Sequence, residues 1–77
     1  MLVYPDPIGN VMHIRANKQW QTADAVLFDA TGRQVINFKM TGETTTVDVS
    51  KLAKGTYFVR VYNTVTSDTK TIPVVKK

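Results

Sequence analysis

From residue 11 to residue 75, apolar side chains return at every second position in short runs, a period that demands strands and leaves almost no room for helix. Met12 and Ile14 alternate with Val11, His13 and Arg15. Ala23, Ala25 and Leu27 alternate with Asp24, Val26 and Phe28, until Asp29-Ala30-Thr31-Gly32 interrupts. Ile36, Phe38 and Met40 share one side of the next run, and Val47 and Val49 share a face after the turn at Thr41-Gly42-Glu43. Gly55 opens the strongest run, with Tyr57, Val59 and Val61 on one face and Thr56, Phe58, Arg60 and Tyr62 on the other. Ile72 and Val74 then alternate with Thr71, Pro73 and Val75. Residues 2–4 add a short strand, and only residues 19–25 could hide a turn of helix. Strands of this size, punctuated by Gly, Asp and Asn, predict an all-β fold: a seven-stranded, immunoglobulin-like antiparallel β-sandwich.

Length bounds the rest. Seventy-seven residues make a single domain over residues 1–77, and a chain this short buries only about 60% of its unfolded surface. It holds no cysteine, so no disulfide supports it. The expected core is Met12, Ile14, Leu27, Ile36, Val47, Val49, Leu52, Tyr57, Val59, Val61 and Ile72. Pro73 cannot donate to a ladder, which assigns its strand to an edge or a bulge. Asp first and Gly last mark residues 29–32 as a type I turn. Leu52, Gly55 and Tyr57 have the spacing of a tyrosine corner, in which the hydroxyl bonds to backbone a few residues upstream. Gly32 and Gly55 are expected in conformations that a side chain would penalise.

Catalytic chemistry finds no footing. His13 is the only histidine, and with no cysteine it has no partner for a zinc site. The acids Asp6, Asp24, Asp29, Glu43, Asp48 and Asp68 do not recur at a calcium-loop spacing. Asp29 and Asp48, at strand ends before Thr or Ser, read as turn formers. The four glycines are spread one to a turn and make no phosphate loop. No cofactor and no small-molecule substrate are expected. Charge is uneven: Lys51, Lys54, Arg60, Lys70, Lys76 and Lys77 face Asp68 alone in the last third. Such a basic end could meet nucleic acid, anionic lipid or an acidic protein surface, or simply keep an edge strand from aggregating. The aromatics do not alternate with these cations, so no nucleic-acid platform is expected; Trp20 is expected to pack in the core or at its rim, with an exposed binding ring as the alternative.

Three stretches in order carry a family resemblance: Val3-Tyr4-Pro5-Asp6-Pro7; then Asp29, Gly32 and Arg33 within residues 26–35; then Gly55 and Tyr57 within residues 47–61, before the closing Val74-Val75-Lys76-Lys77. Together they resemble the type A C-terminal sorting domain of type IX secretion system cargo in Bacteroidetes, the family of the gingipain tails. The family usually has asparagine where Asp6 stands, and either residue turns the backbone locally. The resemblance implies a non-catalytic C-terminal signal on a larger secreted protein, of which these residues are a fragment. It implies recognition in the periplasm, passage through an outer-membrane translocon to the cell surface or beyond, and in many cases removal by a sortase-like protease. Translocon, shuttle protein and protease are the implied partners, and the residues just named are the candidate recognition motifs. An immunoglobulin-like accessory module, binding carbohydrate or spacing domains, is the alternative from a different class. A row of exposed aromatics on one sheet face would favour it. The final strand, residues 69–75, offers an edge for strand addition, and residues 75–77 are expected to contribute little to stability.

Overall fold

The computed structural model describes all 77 residues as seven strands and one short helical turn. They are β1 (Leu2–Tyr4), β2 (Val11–Arg15), β3 (Asp24–Asp29), β4 (Gln34–Lys39), β5 (Thr44–Asp48), β6 (Gly55–Tyr62) and β7 (Thr69–Lys76). A 3₁₀ turn over Lys18–Trp20 overlaps the start of residues 19–25, where the pattern allowed helix. Two antiparallel sheets form the sandwich, one ordered β1-β2-β5 and the other β4-β3-β6-β7. This is the immunoglobulin-like arrangement that the period of two predicts.

Alternation decides what lies between the sheets. Met12, Ile14, Leu27, Val49, Val59 and Val61 are fully buried, with Val47 and Tyr57 nearly so. Ile36, Leu52 and Ile72 are only half-buried, against expectation. Ile36 lies on β4 and Ile72 on β7, the two edge strands of the larger sheet, and Leu52 lies in the β5–β6 loop. Each therefore lacks a neighbour on one side. Their places in the core go to Ile8, Trp20, Ala23, Ala25, Met40 and Val74. Trp20 is 2% exposed, with the Lys70 ammonium 5.2 Å from its ring centroid, so it is a core ring and not a binding platform.

The turns follow their sequence signals. The Gly32 N–H donates to the Asp29 carbonyl (3.0 Å) and the Asp29 N–H to the Arg33 carbonyl (2.9 Å), with Gly32 at φ +90°. That is a type I turn closed by a left-handed glycine, a common three-residue hairpin. The register between β3 and β4 slips by one residue here, since Leu27 faces Ile36 while Phe28 faces Gln34. Gly55 takes φ +147°, outside the left-handed helical basin but still a region closed to most side chains. The Tyr57 hydroxyl donates to the Ala53 carbonyl at 2.6 Å, closing the tyrosine corner. At the opposite end Asn63, buried without any signal in the strand pattern, ties the β6–β7 turn to the helical turn. Its Nδ2 donates to the Gln19 carbonyl (2.7 Å), and its Oδ1 accepts from the Val65 and Thr66 N–H groups.

Candidate functional site

Register carries the scattered motifs to one end of the sandwich. On β6, Tyr57 pairs with Asp29 of β3 on one side and with Val74 of β7 on the other. Gly55 pairs with Lys76. Asp29 also opens the hairpin that holds Gly32 and Arg33. The first motif joins them through Ile8, which leaves the smaller sheet and bridges Lys76 in parallel alignment. The Ile8 N–H donates to the Val75 carbonyl (2.8 Å), and the Lys77 N–H donates to the Ile8 carbonyl (3.1 Å). All three stretches therefore meet where β3 and β7 end and β4 and β6 begin.

Tyr4 stands at the rim of this end, its ring 5.1 Å from that of His13, whose Nδ1 lies 2.9 Å from Thr46 Oγ1. Pro5, Asp6 and Pro7 are exposed, and both prolyl bonds, Tyr4-Pro5 and Asp6-Pro7, are cis. Between this segment and β7 runs a groove of about 220 Å³, walled by Met1, Leu2, Val3 and Pro5 on one side and Ile72, Pro73 and Val74 on the other. Asp6 is the one charged residue along it.

The chain's end is tied down, which corrects the expectation of a loose terminus. Val74 and Lys76 are 6% and 7% exposed, while Val75 and Lys77 face outward. Lys76 lies on the core-facing side of β7, where its aliphatic stem can be covered while its Nζ reaches the Lys77 carbonyl (3.3 Å). Ile8 is the element that the motifs did not reveal. A single isoleucine between Pro7 and Gly9 belongs to no alternating run, and only the crossing between sheets gives it a role.

Charge at this end is set by what is already spent. The Asp29 carboxylate accepts from the Thr31 hydroxyl (2.6 Å), the Thr31 and Arg33 N–H groups (both 3.0 Å) and Arg33 Nε (3.2 Å). The Thr31 hydroxyl first, and then the Arg33 N–H, hold its pKa below the ordinary value. Asp48, beside the same end, is lowered by the Ser50 N–H that donates to it at 2.9 Å. Both aspartates are turn formers, as their positions implied. The ion pairs are Arg15–Glu43, Arg33–Asp29 and Lys39–Asp24. Lys51, Lys54, Lys76 and Lys77 belong to none of them, so this end carries net positive charge with Asp6 and Asp48 as its exposed acids.

The outer face of the larger sheet holds the other concentration of exposed apolar surface. Phe28 and Phe58 are directly paired there, Tyr62 lies further along β6, and the Arg60 guanidinium sits 5.0 Å from the Phe28 ring centroid. Alternation places these rings on the solvent side but does not by itself show them as neighbours across two strands.

The family model of the secretion system C-terminal sorting domain matches residues 2–76. No curated protein matches. Among solved structures, the chain is similar to PorZ, an essential bacterial surface component of the type-IX secretion system of Porphyromonas gingivalis, with a TM-score of 0.84 and 21% identity. That likeness covers 99% of this chain and 11% of PorZ.

Proposed function

Because the chain belongs to the family of secretion system C-terminal sorting domains, we propose that it is a type IX signal that sends a larger cargo protein across the outer membrane to the cell surface. The observation that carries this reading is the convergence of the three motif stretches at one end of the sandwich. Tyr4-Pro5-Asp6-Pro7, the Asp29 hairpin and residues 74–77 are far apart in sequence, yet β-pairing and the Ile8 bridge make them one surface. A signal shared by unrelated cargos needs a rigid scaffold presenting the same exposed groups, and a closed sandwich end supplies it. In this reading the domain is bound in the periplasm by the secretion machinery and acts without catalysis. Its unpaired lysines favour an acidic receptor surface, and a sortase-like protease removes it after passage.

The test fuses these 77 residues behind a periplasmic reporter in a host that has a type IX system. The fusion should become sensitive to protease added outside intact cells, while the reporter alone stays protected. A fusion that remains in the periplasm contradicts the sorting role.

One observation favours a second reading. Phe58 and Tyr62 are exposed beside Phe28 on one sheet face, the kind of row on which a sugar ring stacks. The cover that Arg60 gives Phe28 reduces the platform to two rings. Retarded migration of the domain in gels containing soluble glycans, abolished by Phe58→Ala, would support an accessory carbohydrate-binding module. Unchanged migration contradicts that reading.

A further inference from the structure

We propose that the open edge of β7, from Thr69 to Pro73, accepts an extended peptide strand from the partner that reads the domain. The inference rests on the sorting role and deepens it by naming the contact. In an antiparallel strand, backbone groups of alternate residues point to opposite sides. The Val75 carbonyl and the Lys77 N–H point away from β6, since both bond Ile8, while the Asp68 carbonyl points toward β6 and accepts from the Asn63 N–H at 2.8 Å. Odd-numbered residues of β7 therefore turn their backbone outward. Pro73 is one of them, so its missing N–H costs the β6 ladder nothing, which is why proline is tolerated in the middle of a fully paired strand.

Thr69 and Thr71 each present an N–H and a carbonyl outward, and Pro73 adds a carbonyl. Ile8 shows that this edge accepts backbone pairing, because its N–H and carbonyl already bond the adjoining Val75 and Lys77 in a parallel bridge. Beside the open stretch lies the groove of about 220 Å³ between β1 and β7, with Val3 and Ile72 half-buried in its walls. Side chains of an added strand alternate between two faces, so every second one would enter this groove. The peptide that fits is extended and apolar at alternate positions. Two of the other edges are poorer templates: β1 is three residues long, and β4 carries the register slip opposite β3.

The proposal predicts that a backbone N–H, not a side chain, is read at Thr71. Thr71→Pro removes that outward donor without touching the β6 ladder, and Thr71→Val keeps it while removing the hydroxyl. In the reporter fusion, Thr71→Pro should abolish surface display and Thr71→Val should leave it at the wild-type level. Both purified domains should melt within a few degrees of the parent. Hydrogen exchange on the free parent domain supplies a check that needs no variant: the Thr69 and Thr71 amides should exchange fast, and those of Lys70, Ile72 and Val74 slowly. Full display of Thr71→Pro overturns the strand-addition proposal, as does loss of display in a folded Thr71→Val. Slow exchange at Thr71 overturns it too, because the donor would then already be bonded. A parent fusion that is itself not displayed would instead overturn the sorting role.

Discussion

Val59 lies fully buried at the centre of the larger sheet, paired with Leu27 on one side and Ile72 on the other. Truncation to alanine should cost about 2–4 kcal/mol, a large share of the margin of so small a domain. Half-buried Leu52 should lose less on the same change, about 1–2 kcal/mol. Equilibrium denaturation of the two variants checks that order, and equal losses would contradict the burial described here. Tyr57→Phe removes the hydroxyl that the Ala53 carbonyl accepts and should cost about 1 kcal/mol, with the fold retained. Asp29 adds a pH dependence. A carboxylate with a lowered folded pKa contributes stability that is present above its unfolded value, here 3.8, and is lost as pH falls through the folded value. Thermal melts from pH 6 down to pH 2 should show a loss starting near pH 4, and Asp29→Asn should flatten it. A variant with an undiminished acid slope would assign the loss to other groups. Asp48, also lowered, through Ser50, should leave a remainder.

At the scale of elements, β7 departs most from what alternation conveys. Its last residues are held by Ile8 on one side and by β6 on the other, so deleting residues 75–77 removes native pairing. The truncated domain should lose at least about 1 kcal/mol, which lowers the melting temperature by roughly 4–8 °C at this size. An unchanged melting temperature would mean that the Ile8 bridge contributes nothing. The seven strands themselves were legible because each buries one face, and a period of two in Val, Ile, Leu and Met leaves no other assignment. Pro73 declared an edge, and Asp29 with Gly32 declared a hairpin, since each carries its backbone geometry in its own chemistry. Pairing between distant strands was not legible. Nothing in Val11–Arg15 says that it lies beside Thr44–Asp48, and nothing in Ile8 says that it crosses to the other sheet. Asn63 hid for a similar reason. A residue outside a strand shows no period, so its burial depends wholly on what folds over it. Gly55 announced its need for freedom but not its φ of +147°, where Gly55→Val should be more damaging than Gly32→Ala at φ +90°.

For the whole molecule, the sandwich is a device that turns sequence order into a surface. The two ends of the chain are joined by the Ile8 bridge, and the hairpin from its middle is carried to the same place by β6, which pairs with both β3 and β7. The opposite end, with the Lys39–Asp24 and Arg15–Glu43 pairs and the Asn63 turn, holds none of the three stretches. Side-chain recognition should therefore concentrate at the motif end, with the β7 edge adding backbone contacts along the long axis. The most direct measurement compares two triple variants of the reporter fusion, matched for melting temperature. One replaces Asp6, Arg33 and Lys77 with alanine at the motif end, and the other replaces Thr22, Lys39 and Glu43 with alanine at the far end. All six are exposed, and their ion pairs are surface pairs of about 0–1 kcal/mol each, so both variants should fold. The fraction of reporter cut by external protease should collapse for the motif-end variant and stay at the parent level for the far-end variant. Equal display of the two, or loss only from the far end, would contradict the assignment of the recognition surface.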